Sequence, residues 1–163
     1  MESRRLRIFS GEEVAPGSSM RRSETVYPVG YQAEPLYDGL HLGLRSGVLY
    51  QGDQPGDFSL LAVDLAPNAI ISRHYHDNDC LYIVSEGEIL MGARVIKKGG
   101  GFFVGAEQPY TYQAGAEGAR VLEVRSDTTY ATTVVETNVA RVFENARANR
   151  AVWGATAETS TEP

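Results

Sequence analysis

Between Val26 and Arg125 the chain alternates short apolar runs with Gly, Pro, Asn and Asp, a spacing that predicts many short antiparallel strands. Strands are expected near 39–45, 47–51, 58–65, 69–75, 80–85, 88–91, 94–96, 101–104, 109–113, 119–125 and 130–136. Pro67-Asn68 pre-sets a turn, Glu86-Gly87-Glu88 permits a tight reversal, and Gly99-Gly100-Gly101 gives the backbone room where side chains would clash. Turns this frequent leave little room for helices and favour a sandwich or barrel, in which sheet edges are closed or protected. The period then changes: Val139, Val142, Phe143 and Ala146 fall at helical intervals behind Thr137 or Asn138 as N-cap, so one helix is expected over 137–153. Residues 1–25, polar and rich in arginine, read as an N-terminal arm and 26–136 as the β-body. Residues 154–163 carry too little apolar surface to offset the entropy of ordering and read as a flexible tail.

A chain of 163 residues fits one domain with a single core. Cys80 is the only cysteine, so no internal disulfide and no Cys-x-x-Cys zinc site can form, and a reducing cytoplasm is expected. No apolar run approaches the ~18–20 residues of a membrane helix, and no continuous apolar stretch follows the first arginines; neither a membrane span nor secretion is expected. The formal net charge of −6 argues against nucleic acid as a partner, because phosphate affinity needs clustered cations. Arg4, Arg5, Arg7, Arg21 and Arg22 read instead as a solvated or subunit-contacting arm.

The most informative stretch runs from Arg73 to Gly87. Residues two apart on a strand share a face, so His74 and His76 present both imidazoles on one side. On the next strand Cys80, Tyr82 and Val84 share a face too. Two imidazoles suit Zn, Fe, Ni, Cu or Mn, but a tight site needs a third group. Tyr110 as phenolate or Cys80 as thiolate could supply it, and Asp77, Asp79, Gln108, Glu123 and His41 remain open through folding. Asp79, after a one-residue shift, would complete a two-His, one-carboxylate set. Against this stand histidines hydrogen-bonded without metal and Cys80 as a small buried filler. Tyr112 shares the face of Tyr110 and serves either pocket or core. His41 and Arg45 lie opposite Leu40, Leu42 and Leu44, and Arg45 and Arg73 are expected at the surface.

These residues resemble the first motif of the cupin superfamily: Gly, five residues, His-x-His, three or four residues, Glu, six residues, Gly. His74, His76, the eleven-residue step to Gly87 and the run Tyr82–Gly87 match it; Asn68 takes the opening glycine and Cys80 the metal-binding Glu. The second motif, Gly, five residues, Pro-x-Gly, two residues, His, falls on Gly99 to Tyr110, with Gly105, Glu107 and Tyr110 at its Pro, Gly and His positions. The resemblance implies an all-β, cupin-type double-stranded β-helix, a jelly-roll barrel, with an arm and a short C-terminal helix. It also implies a divalent metal ion (Fe, Zn, Ni or Mn) held by His74, His76 and Tyr110, with Tyr110, Tyr82 and Cys80 assisting proton transfer. The ion would act on a small organic molecule by oxygenation, isomerisation, cyclisation or elimination. The alternative is a non-catalytic, small-ligand-binding cupin whose metal shell is incomplete. A homodimer is expected, because many cupins protect their sheet edges by exchanging strands.

Overall fold

The computed structural model describes residues 8–9, 21–26, 43–138 and 140–149. In chain order the strands are β1 (Arg21–Val26), β2 (Leu44–Gln51), β3 (Ser59–Leu65), β4 (Ile70–His76), β5 (Cys80–Met91), β6 (Arg94–Lys97), β7 (Gly101–Val104), β8 (Tyr110–Arg125) and β9 (Thr129–Val134). They form one sheet with the path β1-β9-β4-β8-β3-β2, and β5 joins β8 to β6 and β7. All pairings are antiparallel except β1 with β9.

Two long strands shape this sheet, and each spans a place where the sequence suggests a break. The expected strands 80–85 and 88–91 are one strand, β5, and 109–113 and 119–125 are one strand, β8. The glycines there bend a continuous strand instead of reversing it. Gly87 has φ +66° and Gly118 φ +80°, both in the left-handed region. The two backbones pass so closely that a Cβ on Gly87 would lie 2.3 Å from the Gly118 carbonyl oxygen. The β5–β8 register slips on either side of Gly87, as a bulge requires. Beyond the bend β8 exchanges neighbours: Tyr110–Gln113 pairs with β4 and Ala119–Arg125 with β3. The sheet thereby curls over a core that includes Tyr82, Val84, Ile89, Tyr112, Ala114 and Val121.

Other boundaries moved less. The expected strands 39–45 and 47–51 merge into β2, with 39–42 outside the described residues. Residues 21–25, expected in the arm, are part of β1, which pairs parallel with β9. Arg4, Arg5, Arg7, His41 and the tail 154–163 lie outside the described residues.

The helix α1 occupies 140–149 among the described residues. Asn138 caps it, its Oδ1 accepting the Arg141 N–H at 3.3 Å. Val142, Ala146 and Asn149 are buried, the spacing of one helical face. Burying Val142 alone is worth about 1.5–3 kcal/mol. Asn145 ties the helix to the barrel: Oδ1 accepts the Ile70 N–H and Nδ2 donates to the Asn68 carbonyl, each at 2.9 Å. That carbonyl belongs to the Pro67-Asn68 turn, closed by Ala69 N–H donating to Ala66 at 3.0 Å.

Candidate functional site

β4 delivers the two histidines to the barrel, and their rings meet edge to face with centroids 4.8 Å apart. His74 sits opposite Tyr110 in the β4–β8 register, with ring centroids 4.5 Å apart. Cys80, Tyr82 and Val84 turn their shared face inward and are almost wholly buried. The Tyr82 and Tyr110 hydroxyls are hydrogen-bonded to each other. Tyr112 stacks on Tyr110 at 6.4 Å, and Phe102 lies flat on Tyr82 at 4.5 Å. His74, His76, Cys80, Tyr82 and Tyr110, separated by up to 36 positions in the sequence, therefore gather within one interior.

Both imidazoles have fixed tautomers. His74 Nδ1 lies 2.6 Å from the Ser72 carbonyl oxygen and His76 Nδ1 lies 3.0 Å from that of Ala131, so each Nδ1 carries the proton and donates it. Thr132 Oγ1 is also 3.2 Å from His76 Nδ1. The lone pair of each ring is then on Nε2, as in a metal-ligating histidine.

What meets the Nε2 of His76 is a cation already in place. Arg125 Nη2 lies 3.2 Å from it and 2.7 Å from Glu123 Oε2, and the guanidinium packs 4.1 Å over the ring of Tyr130. Arg125 is 3% exposed. Burial works against its charge, but Glu123 together with Tyr82, Cys80 and Tyr130 more than offsets this, so the guanidinium holds its proton more firmly than a free arginine. A metal at the usual ~2.1 Å from His76 Nε2 would stand roughly 1 Å from Nη2 on the line between the two nitrogens. As arranged, these residues do not fit a divalent ion. Among the described residues no group of three or more His, Cys, Asp and Glu is placed to hold one.

The remaining candidates divide clearly. Glu123 joins the site through Arg125. Asp77 and Asp79 are exposed and engaged elsewhere, accepting the Ala131 and Ala106 N–H groups at 2.8 and 2.9 Å. Gln108, Arg45 and Arg73 are exposed, as the surface reading expects for the two arginines. Arg125 and Tyr130 are the residues that sequence reasoning missed. The available signal was the run Val121-Leu122-Glu123-Val124-Arg125, which sets opposite charges on one strand face beside Val121.

Electrostatically the interior keeps its thiol and phenols protonated. Burial, followed by the Glu123 carboxylate, pushes the Cys80 thiol up to about 12. The same two causes, in the same order, raise the phenols of Tyr82, Tyr110 and Tyr112 above their ordinary range. At neutral pH the site thus offers hydroxyl donors, an inert thiol and one guanidinium–carboxylate pair.

The two motif positions that lack their glycine keep its backbone. Asn68 has φ +58° and Glu107 φ +61°. Asn tolerates the left-handed region well, whereas Glu does so at a cost of about 1–2 kcal/mol. Glu107 is held there by its N–H, which donates to the His76 carbonyl at 2.7 Å and so ties the β7–β8 loop to the end of β4.

No protein-family profile matches the chain, and no curated protein matches it. Solved structures do. It is similar to the polyketide cyclase RemF from Streptomyces resistomycificus, at 15% identity over 80% of this chain and 86% of that one, with a TM-score of 0.55. KdgF from a Halomonas species matches at 15% identity over 74% of this chain and 94% of that one, with a TM-score of 0.52. A putative acetylacetone dioxygenase from Methylibium petroleiphilum matches at 11% identity over 77% and 81%, with a TM-score of 0.51. These neighbours are cupin-fold proteins, and with the curled antiparallel sheet and the bend between β5 and β8 they establish that this chain has the cupin fold.

Proposed function

We propose that this chain binds a small organic molecule inside its barrel and is a cupin whose metal shell is incomplete. The observation that carries the reading is the Arg125–His76 hydrogen bond, which commits the Nε2 lone pair of His76 to a guanidinium. One of the two protonated hydroxyls of Tyr82 and Tyr110 donates to the other, which leaves the pair a single O–H to donate toward an oxygen of the bound molecule. Cys80 remains a thiol and serves as packing. Two neighbours bear the names of enzymes of small-molecule chemistry, a polyketide cyclase and a putative acetylacetone dioxygenase, which supports the substrate class.

The test is metal analysis of tag-free protein, with His74→Ala as control. The expected result is a metal content well below one per chain, unchanged by the substitution. A stoichiometric ion lost in His76→Ala would overturn the reading in favour of a second one. That second reading is a metal-dependent enzyme in which His74, His76 and Tyr110 hold Fe, Zn, Ni or Mn, assisted by Tyr82 and Cys80. Its support is the pair of Nδ1–H···O=C hydrogen bonds, which turns both Nε2 lone pairs to the role of ligands. It requires Arg125 to swing away from His76.

The single buried thiol suits a cytoplasmic setting. Among the described residues no helix is long and apolar enough to cross a membrane. A homodimer is part of the same proposal. Leu81 and Phe103 face each other across β5 and β7 and are 42% and 64% exposed, an apolar pair for a second copy to cover. Light scattering at micromolar concentration should give twice the chain mass; the mass of one chain would dismiss the dimer.

A further inference from the structure

The outward side of the sheet, away from the histidines, is ordered in rows that cross five strands, β2-β3-β8-β5-β7. The registers set Tyr50 opposite Leu60, Leu60 opposite Val124, Val124 opposite Leu81 and Leu81 opposite Phe103. Opposed residues share a face, and because their chain neighbours Ser59, Arg125 and Cys80 are buried inside, this row points out. The next outward row, two residues along each strand, is Ala62, Leu122 and Ile83, apolar again. Phe103, Leu81 and, just before β3, Phe58 are 64%, 42% and 62% exposed. At about 200 Å² for a whole aromatic side chain, the face leaves roughly 400 Å² of apolar surface open, a size that marks an interaction site.

Charge tells what covers it. The third outward row is Glu86, Arg120, Asp64 and Arg45, opposite one another in turn on β5, β8, β3 and β2. Arg120 Nε is 3.4 Å from Asp64 Oδ1 within the chain. The signs run negative, positive, negative, positive, so the row read backwards is its own complement. Laid against itself about a two-fold axis parallel to the strands, it brings Glu86 of one copy to the partner's Arg45 and Arg120 to the partner's Asp64, each contact occurring twice by symmetry. The same axis sets Val124 against the partner's Leu60 and Leu81 against the partner's Tyr50, so apolar rows meet apolar rows as in aligned packing of two sheets. A foreign partner asks for no such symmetry in the row, whereas a second copy does. Two such faces with their charged borders bury about 1,000 Å² in all, the lower bound of a specific interface.

We infer that this outer face is the interface between two copies of the chain, packed sheet on sheet with the charged rows reversed, so that each Glu86 meets the partner's Arg45. This rests on the homodimer proposed above and names its face and its register. Within one chain Glu86 and Arg45 stand three strand spacings apart, about 14 Å, too far to pair. Any dependence of one on the other in the state of assembly therefore comes from the partner.

Sedimentation equilibrium of the full chain at low salt tests it, with Phe103→Lys, Glu86→Arg and Arg45→Glu, all at exposed positions, and circular dichroism as the check on folding. The parent should be a dimer, and Phe103→Lys should weaken it at least tenfold. Glu86→Arg and Arg45→Glu should each weaken it about tenfold, because each sets like charges against each other at both symmetric contacts. Mixing the two should restore dimerisation, since in the mixed pair both contacts again join opposite charges. A parent with the mass of one chain overturns the homodimer and this inference together. A dimer that Phe103→Lys leaves intact stands through another face, and overturns the inference alone. Single charge variants that dimerise like the parent, or whose mixture is no tighter than either alone, overturn it as well. If Phe103→Lys does not fold, the two charge variants and their mixture decide.

Discussion

Replacing Glu123 by Gln keeps the shape of the side chain and removes only its charge, so it measures what the buried guanidinium requires. The two side chains are 10% and 3% exposed, and Oε2 stands 2.7 Å from Nη2. With about 4 Å between charge centres and an effective dielectric near 20, the attraction is about 4 kcal/mol. The amide oxygen retains a hydrogen bond worth about 1 kcal/mol, which leaves a loss of about 3 kcal/mol. That agrees with the roughly 3–5 kcal/mol found when one partner of a buried ion pair is removed. A domain with about 5–15 kcal/mol in hand survives this, so Glu123→Gln should fold, with its urea midpoint lowered by about 1.5 M at a slope near 2 kcal/mol/M. Glu123→Leu should cost more, because no acceptor remains. Adding Arg125→Met to it should recover most of the loss, since both charges then leave the interior together. The assay is urea unfolding followed by circular dichroism on the parent, the two Glu123 variants, Arg125→Met and the double variant. A cost below about 1 kcal/mol for Glu123→Gln, or single losses that simply add in the double variant, would refute the claim that these charges depend on each other.

Gly87→Ala should destabilise by more than about 3 kcal/mol in the same assay, because φ is +66° and the new methyl would meet the Gly118 carbonyl at 2.3 Å. Gly92→Ala, at φ +59° with open space around it, should cost only about 1 kcal/mol, and equal losses at the two sites would contradict the close passage of β5 and β8. Glu107→Gly should stabilise by roughly 0.5–1 kcal/mol, the relief of a left-handed Glu less the entropy that glycine adds to the unfolded chain; a loss of stability would show that the Glu side chain earns its place. Stability should hold from pH 7 to about 9 and then fall. Cys80 is raised from 9.0 to about 12 in the folded protein and the three buried phenols are raised above 10.0, so folding favours their protonated forms and the unfolded chain gives up protons first as pH rises. The thiol alone approaches about 4 kcal/mol at full ionisation. Native Cys80 should resist iodoacetamide at pH 8, and rapid labelling without unfolding would contradict its burial.

The histidine pair was legible because strand periodicity is a local property: two positions apart means one face, whatever the sheet does next. The interior face of Cys80, Tyr82 and Val84 followed from the same rule, and so did the barrel from the density of turns. Glycine was less informative. Glu86-Gly87-Glu88 signals a left-handed backbone and says nothing of whether the chain reverses there or bends and continues; the outcome was decided by Gly118, a residue on another strand that passes close enough to exclude a Cβ. The character of the site was hidden for the same reason. Glu123 and Arg125 alternate with Leu122 and Val124, and that pattern buries the aliphatic pair as readily as the charged one. The choice falls to the pairing of β8 with β5 and β3, which sets Arg125 opposite Cys80 on one side and Ser59 on the other. His-x-His therefore announces two Nε2 lone pairs pointing into a barrel, whereas their chemistry is set by what they meet, and His76 meets a guanidinium 49 positions further along the chain. A pair of opposite charges buried beside such a motif is the feature to look for before a metal is assigned to it, because one guanidinium within hydrogen-bonding reach of one Nε2 is enough to claim the ligand position.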